Sequence, residues 1–283
     1  MIEISKIYLK QIRIYHWIKN LLLFAPLVFA KRFLFIDDVI SVVLGFLAFS
    51  FIASFIYVIN DLVDRDLDQL HPIKKNRPFA DGKISLKNMY LLLIILILLT
   101  VILSYNLPFT FQIILLVYLV FNFLYSFLLK KIVVLDIIMV AFMYLIRVYA
   151  GSAILEVNTS SWIQLVTFSL ALYLVTSKRY SEFKSQKSVT RNILSKYTKE
   201  LLELFIGISL SITIIFYCLF AVEKSSHFVL TIPLVVYGLF RYAYLVFYSG
   251  FGEEPEKILV KDLPLVLSGM FWVIVSLIII LIR

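Results

Sequence analysis

The sequence predicts an all-α membrane protein, a bundle of about nine transmembrane helices, and three observations carry that prediction. Of its 283 residues 62% are hydrophobic and only 16% charged, with a mean hydropathy of +0.97. A soluble domain is about a quarter charged and roughly half apolar, so this chain has too little polar surface to cover a water-soluble globule. Apolar runs of the length that crosses a bilayer as a helix recur from residue 21 to residue 282. The segments between those runs alternate between basic and nearly uncharged, the pattern of loops on opposite sides of a membrane.

The nine expected spans are 21–36, 39–60, 88–105, 110–129, 132–151, 162–177, 201–222, 228–247 and 264–282. The first, "NLLLFAPLVFAKR", ends in a small residue as a signal peptide would. Its preceding polar stretch, with Lys6, Lys10, Arg13 and Lys19, is too long for one, and spans continue to the end, so an uncleaved helix is expected. The second, "ISVVLGFLAFSFIASFIYVI", opens into an acidic stretch. The third and fourth are plain apolar runs, and Lys130 and Lys131 separate the fourth from the fifth. The fifth carries two ionisable residues, Asp136 and Arg147, eleven positions apart on one face. At 1.5 Å per residue they stand roughly 16 Å apart and cannot pair. The sixth runs into "VTSKRYSEF", the seventh holds Cys218, the eighth holds Arg241, and the ninth follows "GEEPEKILVKD". Several spans are short, which implies tilt or partial burial. Nothing resembles a linker or a soluble domain, so residues 1–283 are expected to form one domain.

Placing the N-terminus inside puts segments 1–20, 61–87, 130–131, 178–200 and 248–263 on the cytoplasmic side, and these hold 21 of the 27 Lys and Arg. The outer segments hold four, Lys31, Arg32, Lys224 and Arg283. The net charge of +9 is thus a property of the inner face, suited to anionic lipid. It implies no nucleic-acid partner. One cysteine excludes an intrachain disulfide and a thiolate metal site, and His16, His71 and His227 share no metal-ligand spacing.

"YVINDLVDRDLDQLHPIKKNRP" (57–78) is where the charge pattern turns informative. On a helix Asn60, Asp61, Asp64 and Asp68 share one face, while Asp66 points elsewhere into solvent. Clustered carboxylates repel unless a cation neutralises them. Oxygen-only ligands of this kind suit Mg²⁺, which commonly bridges to substrate phosphates. Lys74, Lys75 and Arg77 follow in a turn-forming stretch, available to grip phosphate oxygens.

N-D-x-x-D-x-x-x-D followed by K-x-x-R-P, after the second span, resembles the first signature of the UbiA superfamily of intramembrane prenyltransferases. That resemblance implies a bundle of about nine helices binding a Mg²⁺–diphosphate above a lipid-filled cavity. In the aromatic prenyltransferase branch a second Asp-rich motif follows the sixth span. Here that position reads "VTSKRYSEF", with Lys178, Arg179, Tyr180 and Glu182, so one acid stands where several are expected and two cations have entered.

A donor and an acceptor that both carry phosphate need fixed cations near the reacting groups, and the inner face offers Lys19, Arg77, Lys130, Lys131, Lys178 and Arg179. With "HWIKNLLLFAP", "YSFLLKKIVVLDIIMVAFMYLIRVYAGSA" and "GEEPEKILVKD", the chain is similar to the polyprenyl-phosphate phosphoribosyltransferase branch, whose best-known members act on decaprenyl phosphate. The resemblance spans about residues 11–282. It implies transfer of 5-phosphoribose from 5-phosphoribosyl 1-diphosphate (PRPP) to a polyprenyl phosphate, with Asp61, Asp64 and Asp68 catalytic. Asn60 joins those three at the metal, and Lys19, Lys74, Arg77, Tyr125, Lys130, Lys178, Arg179, Tyr180 and Glu182 bind substrate. The implied setting is the plasma membrane of a bacterial or archaeal cell, in the synthesis of arabinose-donor lipids of the envelope.

Tyr57, Tyr125 and Tyr180 also suit an ordinary interfacial tyrosine belt, and Glu253, Glu254 and Glu256 a solvated loop. Two rival functions remain at this point. An aromatic prenyltransferase using a polyprenyl diphosphate would favour a second acidic cluster. A transporter would favour inverted repeats and midplane polar groups.

Overall fold

The computed structural model describes residues 2–70, 74–185, 192–249, 258 and 261–282, so His71, Glu253, Glu254, Glu256 and Arg283 lie outside the described residues. The described residues form helices and turns with no strand. A bilayer core has no water to satisfy backbone N–H and C=O groups, and a helix satisfies them within the segment.

The described residues include eleven α-helices. They are α1 (Ile2–Gln11), α2 (Phe24–Phe29), α3 (Ile36–Val63), α4 (Arg65–Leu70), α5 (Leu86–Ser104), α6 (Phe109–Phe127), α7 (Leu135–Leu155), α8 (Ser161–Lys184), α9 (Lys199–Lys224), α10 (Ile232–Ser249) and α11 (Leu263–Ile282). Among the described residues, seven helical segments are long and apolar enough to cross a membrane: α3, α5, Phe109–Lys131, α7, α9, Ser226–Tyr248 and α11. They coincide with seven of the nine expected spans. The expected sixth span is α8, a continuous helix of 24 residues made more polar by Gln164, Ser169, Ser177 and the charged run after it.

The expected first span is not one helix. A 3-10 run over Ile14–Leu23 leads into α2, and Lys31 then takes a left-handed backbone (φ 58°) before a 3-10 turn at Arg32–Leu34. Ten residues is long for 3-10 geometry, and side chains hold the run in place. Trp17 Nε1 donates to Ser54 Oγ at 3.0 Å, Ser54 Oγ donates to the Ile12 carbonyl at 2.8 Å, and Asn20 Nδ2 donates to Ser50 Oγ at 2.9 Å. Arg147, buried in α7, donates from Nε to Asn20 Oδ1 at 2.8 Å and from Nη2 to the Tyr118 hydroxyl at 3.0 Å. One turn further along α7, a Cβ on Gly151 would stand 2.1 Å from the Leu23 carbonyl oxygen. Glycine is what lets the two backbones approach this closely.

The chain divides into two compact units, one of residues 1–127 and 147–157 and one of residues 128–146 and 158–283. In the first, α3 is packed by α5, α6 and the 3-10 run. Val58, Phe79, Ile84, Met89 and Leu96 form a buried cluster there, which fixes the loop after α4 against α3 and α5. In the second, α8 lies along α9 and α10 along α11. Its core contains Tyr173, Leu202, Ile206, Tyr242 and Val246. The buried Tyr173 hydroxyl donates to the Leu239 carbonyl at 2.9 Å, so the phenol brings its own partner into the apolar interior.

Candidate active site

The acidic motif lies in the first unit, where α3 ends. The helix stops at Val63, Asp64 takes φ −92° and ψ 8°, and α4 resumes at Arg65. Backbone bonds from Asp64 N to Asn60 O (2.9 Å) and from Asp68 N to Asp64 O (2.8 Å) carry the helical turn across this break. Asp61 and Asp68 are buried, Asp64 and Asn60 half-buried, and Asp66 exposed.

Asp61 is the hub. Its Oδ2 accepts from Gln11 Nε2 at 2.8 Å, and its Oδ1 accepts from Arg13 Nη2 at 2.5 Å and from Arg77 Nη1 at 3.0 Å. The same Arg77 nitrogen also donates to Asp68 Oδ2, and Lys74 Nζ stands 3.9 Å from Asp68 Oδ1. Gln11 Oε1 accepts from Phe79 N at 3.2 Å, tying the end of α1 to the loop beyond Arg77. Arg13, left-handed at φ 54°, lays its guanidinium 4.8 Å from the Tyr57 ring centre. Burial, with Arg77 beside it, draws Lys74 below the ordinary lysine value against the opposing pull of Asp68 and Asp64. Two carboxylates out of water are tolerable only with cations against them, and here Arg13 and Arg77 supply those cations.

The donor set is oxygen-rich and anionic, and two of its carboxylates converge on one cationic nitrogen. That chemistry fits a hard divalent cation. Among the described residues, however, no three of His, Cys, Asp and Glu stand close enough together to hold a metal ion as placed.

A second polar cluster lies in the second unit, around "VTSKRYSEF". Asp136, at the start of α7, is fully buried; its Oδ2 accepts from Arg179 Nε at 2.9 Å and its Oδ1 from the Tyr197 hydroxyl at 2.7 Å. Arg179 Nη1 donates to Glu182 at 2.8 Å. The Tyr197 oxygen accepts in turn from Val134 N at 2.7 Å. Val134 is left-handed at φ 68°, a strained backbone for a β-branched residue. Burial, and then the bond to Asp136, pushes the Tyr197 phenol well above its ordinary value. The buried Tyr180 donates to Glu203 at 3.1 Å and meets the Phe247 ring at 5.0 Å.

The expected site residues thus separate by unit. Lys19, Asn60, Asp61, Asp64, Asp68, Lys74, Arg77 and Tyr125 belong to the first, and Lys130, Lys178, Arg179, Tyr180 and Glu182 to the second. Lys19, Tyr125, Lys130 and Lys178 are half-buried. The sequence pattern did not single out Gln11 or Tyr197, and it treated Arg13 only as topology-setting charge. They reach Asp61 and Asp136 from about fifty and sixty residues away, and no local spacing marks such a pair.

The UbiA prenyltransferase family matches residues 21–258, 84% of the chain. The chain belongs to that family. Gln11 and Arg13, which both donate to Asp61, lie upstream of the matched region. An uncharacterized protein of Sinorhizobium fredii, y4nM, is 31% identical over 62% of this chain, which spans 34% of that protein's length. The decaprenyl-phosphate phosphoribosyltransferase of Mycolicibacterium smegmatis is 32% identical over 77% of this chain and 70% of that one. A UbiA homolog from Archaeoglobus fulgidus, solved with GPP and Mg²⁺, shares the fold with a TM-score of 0.72 and 22% identity, covering 97% of this chain and 99% of that one. The protein is therefore an all-α, multi-pass membrane protein of the UbiA fold and a member of a transferase family.

Proposed function

We propose that this UbiA-family protein transfers 5-phosphoribose from PRPP to a polyprenyl phosphate and releases pyrophosphate at the cytoplasmic face of the membrane. The observation that carries the chemistry is Arg77, whose single nitrogen Nη1 is shared by Asp61 and Asp68 beside Lys74. Carboxylates for a divalent cation and cations for phosphate oxygens thereby occupy one helix mouth, which is what a metal-bound diphosphate requires. The choice of branch rests on Lys178 and Arg179 standing where a second acidic cluster would serve an aromatic prenyltransferase. The decaprenyl-phosphate phosphoribosyltransferase relative supports it.

In this reading Asn60, Asp64 and Asp68 would hold Mg²⁺. Asp61, whose two oxygens already accept three donors, positions the other acids and the cations that face them. Bound Mg²⁺ supplies charge stabilisation for the departing diphosphate. Arg77 and Lys74 bind the diphosphate oxygens. The C1–O bond of PRPP breaks with its electron pair going to pyrophosphate, and a phosphate oxygen of the lipid forms the new bond to C1. That oxygen is already anionic near neutral pH, so no side chain has to remove a proton, and positioning and electrostatics carry the rate. Lys178 contacts phosphate. Arg179, committed to Asp136 and Glu182, sets the position of Lys178 and Tyr180.

Purified protein with Mg²⁺, labelled PRPP and polyprenyl phosphate should place label in the lipid extract. Transfer from a prenyl diphosphate to an aromatic acid, with PRPP inert, would instead identify the aromatic branch.

A further inference from the structure

We infer that Arg77 is a placeholder cation. Its guanidinium holds Asp68 while metal is absent and passes to the diphosphate when metal and diphosphate arrive together, so the two ligands load as a unit. The inference rests on the assignment of the α3–α4 mouth as a metal–diphosphate site.

Three features of the mouth lead to it. First, Asp61 does not depend on Arg77, because Gln11 occupies Oδ2 and Arg13 occupies Oδ1, and both come from the end of α1 and the residues just after it. Second, Asp68 depends on it heavily. Its side chain is 3% exposed, and the other cation beside it, Lys74, is 3.9 Å away, beyond hydrogen-bonding distance. A buried carboxylate stripped of its partner is strongly unfavourable unless another cation replaces it. Third, Arg77 is the more accessible of the two arginines, 26% exposed against 16% for Arg13.

A guanidinium is also a good ligand for phosphate oxygens. Exchange therefore conserves pairing: Asp68 trades guanidinium for divalent cation, and Arg77 trades carboxylate for diphosphate. No covalent bond changes. Metal arriving alone has to break the contact of Arg77 to Asp68 and leave the guanidinium with Asp61 as its one remaining carboxylate, whereas diphosphate replaces the carboxylate it loses. Metal and diphosphate should therefore strengthen one another's binding, each by the same factor.

The test is Mn²⁺ binding to the full-length protein in detergent, followed by electron paramagnetic resonance without any phosphate ligand. Arg77→Gln should bind Mn²⁺ about tenfold or more tightly than the wild type. Lys74→Gln, which removes a cation near the same carboxylate, should gain no more than about threefold. Inorganic pyrophosphate, with its own chelation of Mn²⁺ accounted for, should tighten binding to the wild type and do so less in Arg77→Gln. Equal gains in the two variants would reduce the effect to general charge removal and overturn the proposal. If Arg77→Gln does not fold, Arg77→Lys serves: a single ammonium bridges the two acids less well, so Mn²⁺ should bind a few times more tightly, and weaker binding than wild type overturns the proposal. Asp68→Asn separates the two levels of inference. If it weakens Mn²⁺ binding while Arg77→Gln gains nothing, the metal site stands and the placeholder falls. If Mn²⁺ binds neither the wild type nor Arg77→Gln, both fall.

Discussion

Arg179 Nε lies 2.9 Å from Asp136 Oδ2, and both side chains are almost wholly removed from solvent. Asp136 sits in a mainly apolar run, and Arg179 comes from a motif 43 residues later. Tyr197 and Glu182 close the cluster on either side. A buried pair of this kind contributes little net stability over an apolar equivalent, yet losing one partner strands the other.

Arg179→Ala should therefore destabilise the protein by about 3–5 kcal/mol, read as a lowered melting temperature in detergent. The double variant Asp136→Asn/Arg179→Gln, which removes both charges, should melt closer to wild type than the single variant does. An Arg179→Ala protein that keeps its melting temperature and loses only turnover would return Arg179 to the phosphate-binding side chains.

Tyr197 gives a pH signature. Its folded-state pKa is raised above its unfolded value by burial first and by Asp136 second. The neutral phenol is thus favoured in the native state, and its contribution is complete below the unfolded value of about 10. It is lost as pH rises above that. Relative to Tyr197→Phe, the wild type should show constant extra stability from pH 7 to about pH 9.5 and a declining advantage beyond it. A difference between the two that does not change with pH would contradict the buried contact to Asp136.

The hydrophobic runs made most of the fold legible, because a bilayer imposes helix length and backbone satisfaction on any span. The broken first span escaped that logic. Its apolar residues fit a helix, while the 3-10 path is fixed by Ser50, Ser54 and Arg147, which lie far off in sequence. At the site, the i, i+4, i+8 spacing marked Asn60, Asp64 and Asp68, and the loop cations marked Arg77. Which acid is already held by donors from elsewhere in the chain could not be read from spacing, because Gln11 and Arg13 reach Asp61 only through the tertiary fold.

Asp61 and its neighbours should therefore separate under mutation. Asp64→Ala and Asp68→Ala should abolish turnover while melting within a few degrees of wild type, since Arg77 retains Asp61 as a partner. Asp61→Asn weakens three donor contacts at once and should lower stability by about 2–5 kcal/mol as well as activity. Near-wild-type turnover by either of the first two at limiting Mg²⁺ would remove the metal assignment.

Gly151 tests the docking of α7 against the 3-10 run. Its added Cβ meets a backbone carbonyl, which cannot swing aside as a side chain can. Gly151→Ala should cost about 1–3 kcal/mol. Gly207→Ala, in α9 with nothing within 4 Å of the new methyl, should be neutral or stabilise by up to about 1 kcal/mol. Equal melting temperatures for the two variants would mean that α7 does not approach Leu23 so closely.

Lys178 tests the branch. It follows the buried Ser177 on α8 and precedes Arg179, whose two carboxylate partners fix the register of the motif. If its ammonium meets a phosphate of PRPP or of the lipid, Lys178→Ala removes a charge-assisted hydrogen bond. Each such bond is worth about 1.5–3 kcal/mol, so kcat/KM should fall about ten- to a hundredfold. Because Lys178 is only half-buried and Arg179 stays in place, the melting temperature should hold. Extra Mg²⁺ should not restore the rate, since the missing charge contacts phosphate rather than the metal acids. Lys178→Arg keeps a cation at the position and should recover part of the loss. The measurement is label transferred from PRPP to lipid across a range of both substrates. An unchanged kcat/KM for Lys178→Ala would show that this cation, the one that most separates the sequence from an acidic second motif, does not serve phosphate chemistry.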